Sequence, residues 1–382
     1  MSKVTLIATT PMGLEAIVTR EVKKLGYEDV RVDNGRVEFD ADEAAIARCN
    51  LWLRCADRVL VKMGEFKATT FDELFEGVKA LNWPDWLPKD AEFPVDGKSH
   101  KSQLSSVPAC QGIVKKAVVE KMKETTGIEW FEETGPLFRI QVALLKDIAT
   151  ITIDTSGPGL HKRGYRQLTA QAPLKETLAA ALVDLSYWNP DRPFYDPFCG
   201  SGTILIEAGL IGRNIAPGLG RTFPAESWPT VTEEMWNAAR DEADDLAQWE
   251  RKLEIVGSDI DAEVLSLAGY HIRKSGLDDV IRVKNLPVGQ MKPEGDFGVL
   301  ICNPPYGERI GEATEVEQAY RDLGVLGKKL HTWSAYVLTS HKGFEQFYGK
   351  RADRKRKLFN GRIECDYYQF YGPRPPRTET SS

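Results

Sequence analysis

Along the first 66 residues the spacing of apolar positions alternates between strand-like and helix-like periods. Val4–Ala8 reads as a strand, and Gly13–Leu25 as an amphipathic helix that Gly26 closes just past its end. Val30–Val32 and Val37–Phe39 flank Asn34-Gly35, a two-residue turn whose left-handed dihedrals suit a hairpin. A helix is predicted from about Glu43 to Arg54 with Asp42 as a candidate N-cap, then a strand at Val59–Met63. The order β-α-β-β-α-β is that of a ferredoxin-like unit, which hosts too many activities to indicate one.

Residues 67–156 read as a second α/β module. Phe71, Leu74, Phe75, Val78 and Leu81 recur at helical spacing, and a longer helix is predicted from Pro108 to Lys123, since proline suits a first turn. Two β-type runs, Phe138–Leu145 and Ile148–Asp154, turn at Lys146-Asp147. From residue 161 onward the pattern becomes strand, turn, helix, repeatedly, as in a doubly wound parallel sheet. Strands are predicted at Pro193–Tyr195, Leu253–Gly257, Val280–Val283, Phe297–Cys302 and Ser334–Thr339. The end differs: Lys355–Phe359 and Ile363–Tyr371 flank Asn360-Gly361, a hairpin signal, so the last strand is expected to run antiparallel. That feature separates class I, Rossmann-like methyltransferase sheets from dinucleotide-binding sheets, which are parallel throughout.

Charge and composition narrow the picture. No apolar run approaches the roughly 18 residues needed to cross a bilayer, and Met1–Thr5 lacks a signal-peptide stretch. A cytoplasmic protein with no membrane partner is expected. Six cysteines at 49, 55, 110, 199, 302 and 365 show no Cys-x-x-Cys and no histidine at ligand spacing, so reduced thiols and no metal are expected. The net charge of −6 hides local asymmetry: nine acids between Glu226 and Glu254 face three cations, whereas Lys350, Arg351, Arg354, Lys355, Arg356 and Lys357 face only Asp353. Lys98, Lys101, Lys115, Lys116, Lys121 and Lys123 form a second basic group. Either group is a solubilising face or a phosphate-contacting surface.

Two motifs carry chemistry. The strand at 193–195 runs into Asp196-Pro197-Phe198-Cys199-Gly200-Ser201-Gly202-Thr203, followed at once by the apolar helix Ile204–Leu210. Gly200 and Gly202 allow a sharp turn and close approach of backbone amides to a ligand. The dinucleotide fingerprint fails, because Leu205 stands where the third glycine belongs. The acidic residue comes late, at Ile255-Val256-Gly257-Ser258-Asp259-Ile260-Asp261, which leaves residues 211–252 as an insertion containing Trp228, Trp236 and Trp249. Asp259 or Asp261 can accept ribose hydroxyls, or cap the next helix. The more specific motif is Asn303-Pro304-Pro305-Tyr306-Gly307-Glu308-Arg309, directly after an apolar strand. The amino group of a nucleobase is a poor nucleophile because its lone pair is delocalised into the ring. The Asn303 side chain and the Pro304 carbonyl can grip its two hydrogens, Pro305 stiffens the loop, and Tyr306 offers a stacking face.

These motifs, their order and the domains before them resemble the THUMP-containing, S-adenosylmethionine-dependent RNA methyltransferases of the YpsC and RlmL group. His161-Lys162-Arg163-Gly164-Tyr165-Arg166, Ala172-Pro173-Leu174-Lys175-Glu176 and the Lys355–Tyr371 hairpin belong to the match. The resemblance implies a ferredoxin-like domain at 1–66, a THUMP RNA-binding domain at 67–156 whose profile can begin near 44, and a methyltransferase domain at 161–382. It implies transfer of methyl to the 2-amino group of a guanosine in 23S ribosomal RNA or a ribosome precursor. Asp196, Gly200, Gly202 and Thr203 would then hold the methionine part of the cofactor, Asp259 its ribose and Asn285 its adenine. Arg166 and Lys175 would lie near cofactor or RNA.

Rival readings are tRNA guanosine methylation, which the same architecture supports, and adenine-N6 methylation of DNA, which Asn-Pro-Pro-Tyr also serves. The N-terminal 156 residues carry no DNA-reading signature. Carbon-5 methylation of a pyrimidine needs an activated cysteine; Cys302 ends a buried strand and Cys199 sits in the glycine-rich turn.

Overall fold

In the computed structural model, which describes residues 3–127, 129–166, 174–306 and 313–376, the chain forms two units. One holds the residues up to Pro11, Val18–Leu160 and Pro217–Asp245; the other holds Met12–Ile17, His161–Ala216 and the chain from Leu246 onward. Among the described residues no helix is long and apolar enough to cross a membrane.

The N-terminal elements are β1 (Val4–Thr9), α1 (Glu15–Lys24), β2 (Val30–Asp33), β3 (Arg36–Ala41), α2 (Ala44–Trp52) and β4 (Arg58–Lys67). They continue into α3 (Phe71–Lys79), β5 (Val95–His100), α4 (Val107–Thr126), β6 (Arg139–Leu145) and β7 (Ile148–Asp154). The first four strands take the order β2-β3-β1-β4 of a ferredoxin-like unit, and β4 pairs on its other side with β7, giving one sheet of seven strands, β2-β3-β1-β4-β7-β6-β5. Local chemistry explains the boundaries. Thr70 and Glu73 close a capping box at the start of α3, Asp42 Oδ1 accepts from the Ala45 amide before α2, and Gly127 ends α4 with a left-handed φ of 69°.

Three details depart from the sequence reading. β5 has no sequence signal, because Asp96, Gly97, Lys98 and Ser99 are poor strand formers; parallel pairing with β6 alone makes it a strand. At the first hairpin only Gly35 is left-handed, with φ 73°, whereas at the β6–β7 turn Lys146 and Asp147 both are, with φ 50° and 66°. The segment read as a methyltransferase insertion contributes residues 217–245 to the N-terminal unit. Trp228 is 2% exposed, stacks on Phe138 with ring centroids 4.4 Å apart, and donates Nε1–H to the Leu137 carbonyl at 2.9 Å. Arg48 grips Glu242 with two bonds of 2.7 Å.

The second unit contains α5 (Glu176–Asp184), β8 (Phe194–Asp196), α6 (Thr203–Gly212), β9 (Ile255–Asp259), α8 (Ala262–Lys274) and β10 (Ile281–Asn285); between α6 and β9 the chain forms α7 (Glu233–Leu246), of which all but Leu246 belongs to the first unit. After them come β11 (Val299–Cys302), α9 (Ala313–Lys329), β12 (Ser334–Thr339), α10 (Phe344–Tyr348), β13 (Arg354–Asn360) and β14 (Ile363–Phe370). The sheet order is β10-β9-β8-β11-β12-β14-β13; β8 to β12 are parallel and β14 is antiparallel to β12, as the closing hairpin requires. The hairpin turn falls one residue later than expected. Asn360 pairs with Ile363, so the loop is Gly361-Arg362, with Gly361 at φ 63°, and Asn360 remains in its strand. All six cysteines are buried free thiols.

Because Trp228 is stacked, hydrogen-bonded and buried within the first unit, Trp228→Ala is expected to cost that unit about 3–5 kcal/mol. Denaturant unfolding followed by circular dichroism measures it.

Candidate active site

Parallel strands leave backbone groups unpaired at their carboxyl ends, where loops leave the sheet and ligands bind. At the end of β8, Asp196 is 1% exposed; its Oδ1 accepts from the Phe198 amide at 2.9 Å, and its Oδ2 is buried with no partner among the described residues. Burial, followed by the nearby Asp259 carboxylate, pushes its pKa well above the ordinary 3.8. Gly200 and Gly202 take φ 51° and 84°, conformations that a side chain disfavours, and Gly202 stands at the N-terminus of α6. Asp259, ending β9, accepts the Gly200 amide on Oδ2 at 2.9 Å and the Asp261 amide on Oδ1 at 3.1 Å. Each oxygen keeps a second lone pair for a hydroxyl donor. Of the two acids at this strand end, Asp261 is the helix cap: its Oδ1 accepts from Glu263 and Val264. Asn285 donates its amide to the Asp259 and Ile260 carbonyls, both at 3.0 Å, which leaves Oδ1 as its remaining acceptor.

The second motif follows β11. Asn303 Oδ1 accepts from the Tyr306 hydroxyl at 2.5 Å. That hydroxyl also receives Asn360 Nδ2 at 3.4 Å and the Cys365 thiol at 3.6 Å, both from the closing hairpin. The Pro305 carbonyl accepts from Tyr320 Oη at 2.8 Å, and Tyr320 contacts Thr339 Oγ1 at 2.9 Å. Tyr320 is fully buried, and burial pushes its phenol up to about 12, so it stays a hydroxyl. Tyr320, Asn360 and Cys365 were invisible as site residues: Tyr320 reads as one more apolar position of α9, and the others as hairpin residues. Gly307, Glu308 and Arg309, like Ala172 and Pro173, lie outside the described residues.

The residues expected at RNA divide. Lys98 and Lys101 are exposed on β5 and just after it, and β5 is an edge strand. Lys116 is 67% exposed, with Glu120 at 3.9 Å. Lys115 is turned to the protein instead: its ammonium bonds Glu133 at 2.6 Å and sits 3.7 Å from the Phe93 ring centre. Arg166 is likewise held inside, bonded to Thr203 Oγ1, to the Leu174 carbonyl at 3.3 Å and to Glu176 at 3.2 Å. These bonds tie Arg166 to the first residue of α6 and to the start of α5. On β13, Lys355 pairs with Glu345 at 2.8 Å, and Arg356 is half-buried. Among the described residues no group of three or more His, Cys, Asp or Glu is placed to hold a metal.

A doubly wound sheet with an antiparallel last strand, a glycine-rich turn after β8 and Asn-Pro-Pro-Tyr after β11 define a class I methyltransferase domain. The chain belongs to the family of the RMKL-like methyltransferase domain, whose model matches residues 163–369. Models of the RlmL ferredoxin-like domain and the THUMP domain match residues 5–60 and 68–154. YpsC of Bacillus subtilis, named as a candidate RNA methyltransferase, is 54% identical over 100% of both chains. The Synechocystis protein slr0064, named likewise, is 33% identical over 95% of each. Among solved structures, a predicted N6-adenine-specific DNA methylase from Listeria monocytogenes is 54% identical, with a TM-score of 0.94 over 98% of this chain and 97% of its own. The methyltransferase SMU.472, complexed with SAH, is 46% identical, with a TM-score of 0.94 over 98% of this chain and 100% of its own.

A buried carboxylate with an orphaned oxygen destabilises the chain that carries it. Ionised Asp196 is penalised in the folded state only, so this contribution favours folding below the ordinary value of 3.8 and is lost as pH rises through the raised folded value. Asp196→Asn is therefore expected to raise the melting temperature of the ligand-free protein at neutral pH, with the gain shrinking in acid. Thermal melts across pH measure it.

Proposed function

We propose that this chain transfers a methyl group from S-adenosylmethionine to the exocyclic 2-amino group of a guanosine in 23S ribosomal RNA. The observation that carries the reading is the Asn303-Pro304-Pro305-Tyr306 loop, anchored through Tyr320 and the closing hairpin at the carboxyl end of the sheet that also bears the glycine-rich turn. The matches to the RlmL ferredoxin-like and THUMP models support RNA as the substrate, and the choice of large-subunit RNA rests on the resemblance to the YpsC and RlmL group. The naming of YpsC and slr0064 as candidate RNA methyltransferases supports the same choice.

S-adenosylmethionine, when bound, supplies an electrophilic methyl group. The residues present fit it: the orphaned Asp196 Oδ2 is an acceptor in want of a donor such as the methionine amino group. Gly200 and Gly202 let the backbone approach with Thr203 beside them, the remaining lone pairs of Asp259 suit the ribose hydroxyls, and Asn285 Oδ1 suits the adenine amino group. Asn303 Oδ1 and the Pro304 carbonyl accept the two hydrogens of the target amino group and fix its lone pair. The rate gain is then mostly orientation, with Tyr306 against the base. SAH in the 46% identical relative supports this cofactor.

The specific reading that competes is adenine-N6 methylation of DNA, favoured by the description of the Listeria relative. Labelled methyl offered to total RNA and to DNA from cells lacking the protein, followed by nucleoside digestion and mass analysis, decides between them. The expected outcome is 2-methylguanosine in large-subunit RNA, abolished by Asn303→Ala. Label in transfer RNA would move the target, and 6-methyladenine in DNA would overturn the proposal.

Lys98 on the THUMP edge strand and Lys101 just after it are exposed, and we assign them to phosphate contacts. Replacing both by Glu is expected to weaken RNA binding and to lower the slope of log affinity against log salt by about 2. A titration at several ionic strengths measures that slope.

A further inference from the structure

We propose that the Tyr306 hydroxyl is a positioning group that turns the Asn303 carbonyl toward the target base, and that Asn360 on the closing hairpin sets the direction of that hydroxyl's hydrogen. The inference rests on the amino-group reading above and assigns work to two groups outside it.

A side-chain amide has two ends of nearly equal size, one an acceptor and one a donor, and a half-turn exchanges them. Only the carbonyl end can receive a hydrogen from a base amino group; the other end would repel it. The backbone next to Asn303 cannot make that choice, because Pro304 and Pro305 have no N–H to hold the carbonyl. Tyr306 is the first residue of the loop with a donor within reach, and its hydroxyl lies 2.5 Å from Asn303 Oδ1.

A phenol oxygen has one hydrogen and can also accept. Asn360 Nδ2 donates to the Tyr306 oxygen at 3.4 Å, and the Cys365 thiol, which shares its one hydrogen between that oxygen at 3.6 Å and the Ile363 carbonyl at 3.8 Å, lies beside it. With its lone pairs so engaged, the hydroxyl directs its own hydrogen to Asn303. Oδ1 keeps its second lone pair for the base. Burial, and then the neighbouring Cys365, push the Tyr306 phenol above its ordinary range, so it remains a donor across the working pH.

The hairpin is built for this contact. Asn360 pairs with Ile363 and Cys365 with Leu358, which is fully buried. Because the turn falls on Gly361-Arg362, Asn360 is a strand residue with a fixed direction rather than a loop residue. Thus β13 and β14, which complete the sheet, also orient a side chain on the β11 loop.

The test is a double-mutant cycle read as kcat, KM for RNA and Kd for S-adenosylmethionine. Tyr306→Phe keeps the ring and removes the hydroxyl; kcat is expected to fall about tenfold, the worth of one hydrogen bond, with KM and Kd unchanged. Asn360→Asp replaces a donor by an acceptor that draws the hydroxyl hydrogen away from Asn303, so it is expected to lower kcat similarly in the wild-type background. In the Tyr306→Phe background it should add nothing, since no hydroxyl remains to misdirect. Lowering the pH protonates the introduced carboxyl, and activity relative to wild type should recover. Wild-type kcat in Tyr306→Phe would overturn the proposal, as would an equal loss from Asn360→Asp in both backgrounds, which marks a merely structural role. Full activity in Asn303→Ala would instead overturn the amino-group reading on which the proposal stands.

Discussion

The constraint on which the methyltransferase unit depends is the satisfaction of backbone groups where parallel strands end. Inside the sheet every amide has a partner; one residue beyond it, none is guaranteed. The chain meets this with short polar side chains placed at the strand ends. Asp196 takes the Phe198 amide, Asp259 takes the amides of Gly200 and Asp261, and Asn285 gives its amide to two carbonyls of the β9–α8 turn. Each such bond leaves further hydrogen-bonding capacity on the side chain: the buried second oxygen of Asp196, the remaining lone pairs of Asp259 and the carbonyl oxygen of Asn285. The groups that hold the turns are therefore also those that can meet a ligand.

Behind these turns lies buried charge. Arg163 and Glu207 are 2% and 0% exposed and bond through two contacts of 3.3 Å, with Tyr165 Oη on the same carboxylate at 3.2 Å. Arg166 joins Thr203, Leu174 and Glu176. A buried ion pair is a weak source of net stability, because desolvation offsets its attraction, but removing one partner is costly. Here the pairs tie the 161–166 segment to α6, whose N-terminus opens beside the glycine-rich turn, so registration of that helix is what they secure. The opposite choice is made at Asp196, where an oxygen is left without a partner among the described residues. There the chain accepts a stability penalty at the end of β8.

Much of this is legible in the amino-acid sequence. Periodicity placed the ferredoxin-like order, the parallel strands and the antiparallel close, since each depends on apolar spacing and turn residues that are local. The two motifs were legible because glycines and consecutive prolines restrict the backbone wherever they stand. What the sequence does not show depends on neighbours distant along the chain. Lys115 and Arg166 look like solvent-facing cations, and only packing shows Glu133 and Phe93 against one, Thr203 and Glu176 against the other. β5 is a strand because β6 lies beside it.

The sequence alone determined the class of this protein: a methyltransferase domain of this family behind two α/β modules, with a glycine-rich turn after β8 and an Asn-Pro-Pro-Tyr loop after β11. Those features follow from residue types that act on their own backbone, and they survive in any arrangement of the rest. Tertiary structure decided which groups serve the loop. Tyr320 reaches Pro305 from fifteen residues on, and Asn360 and Cys365 reach Tyr306 from more than fifty. Such contacts depend on sheet order and on a hairpin turn displaced by one residue, and because side chains alternate along a strand, a shift of one residue changes which of them faces the site.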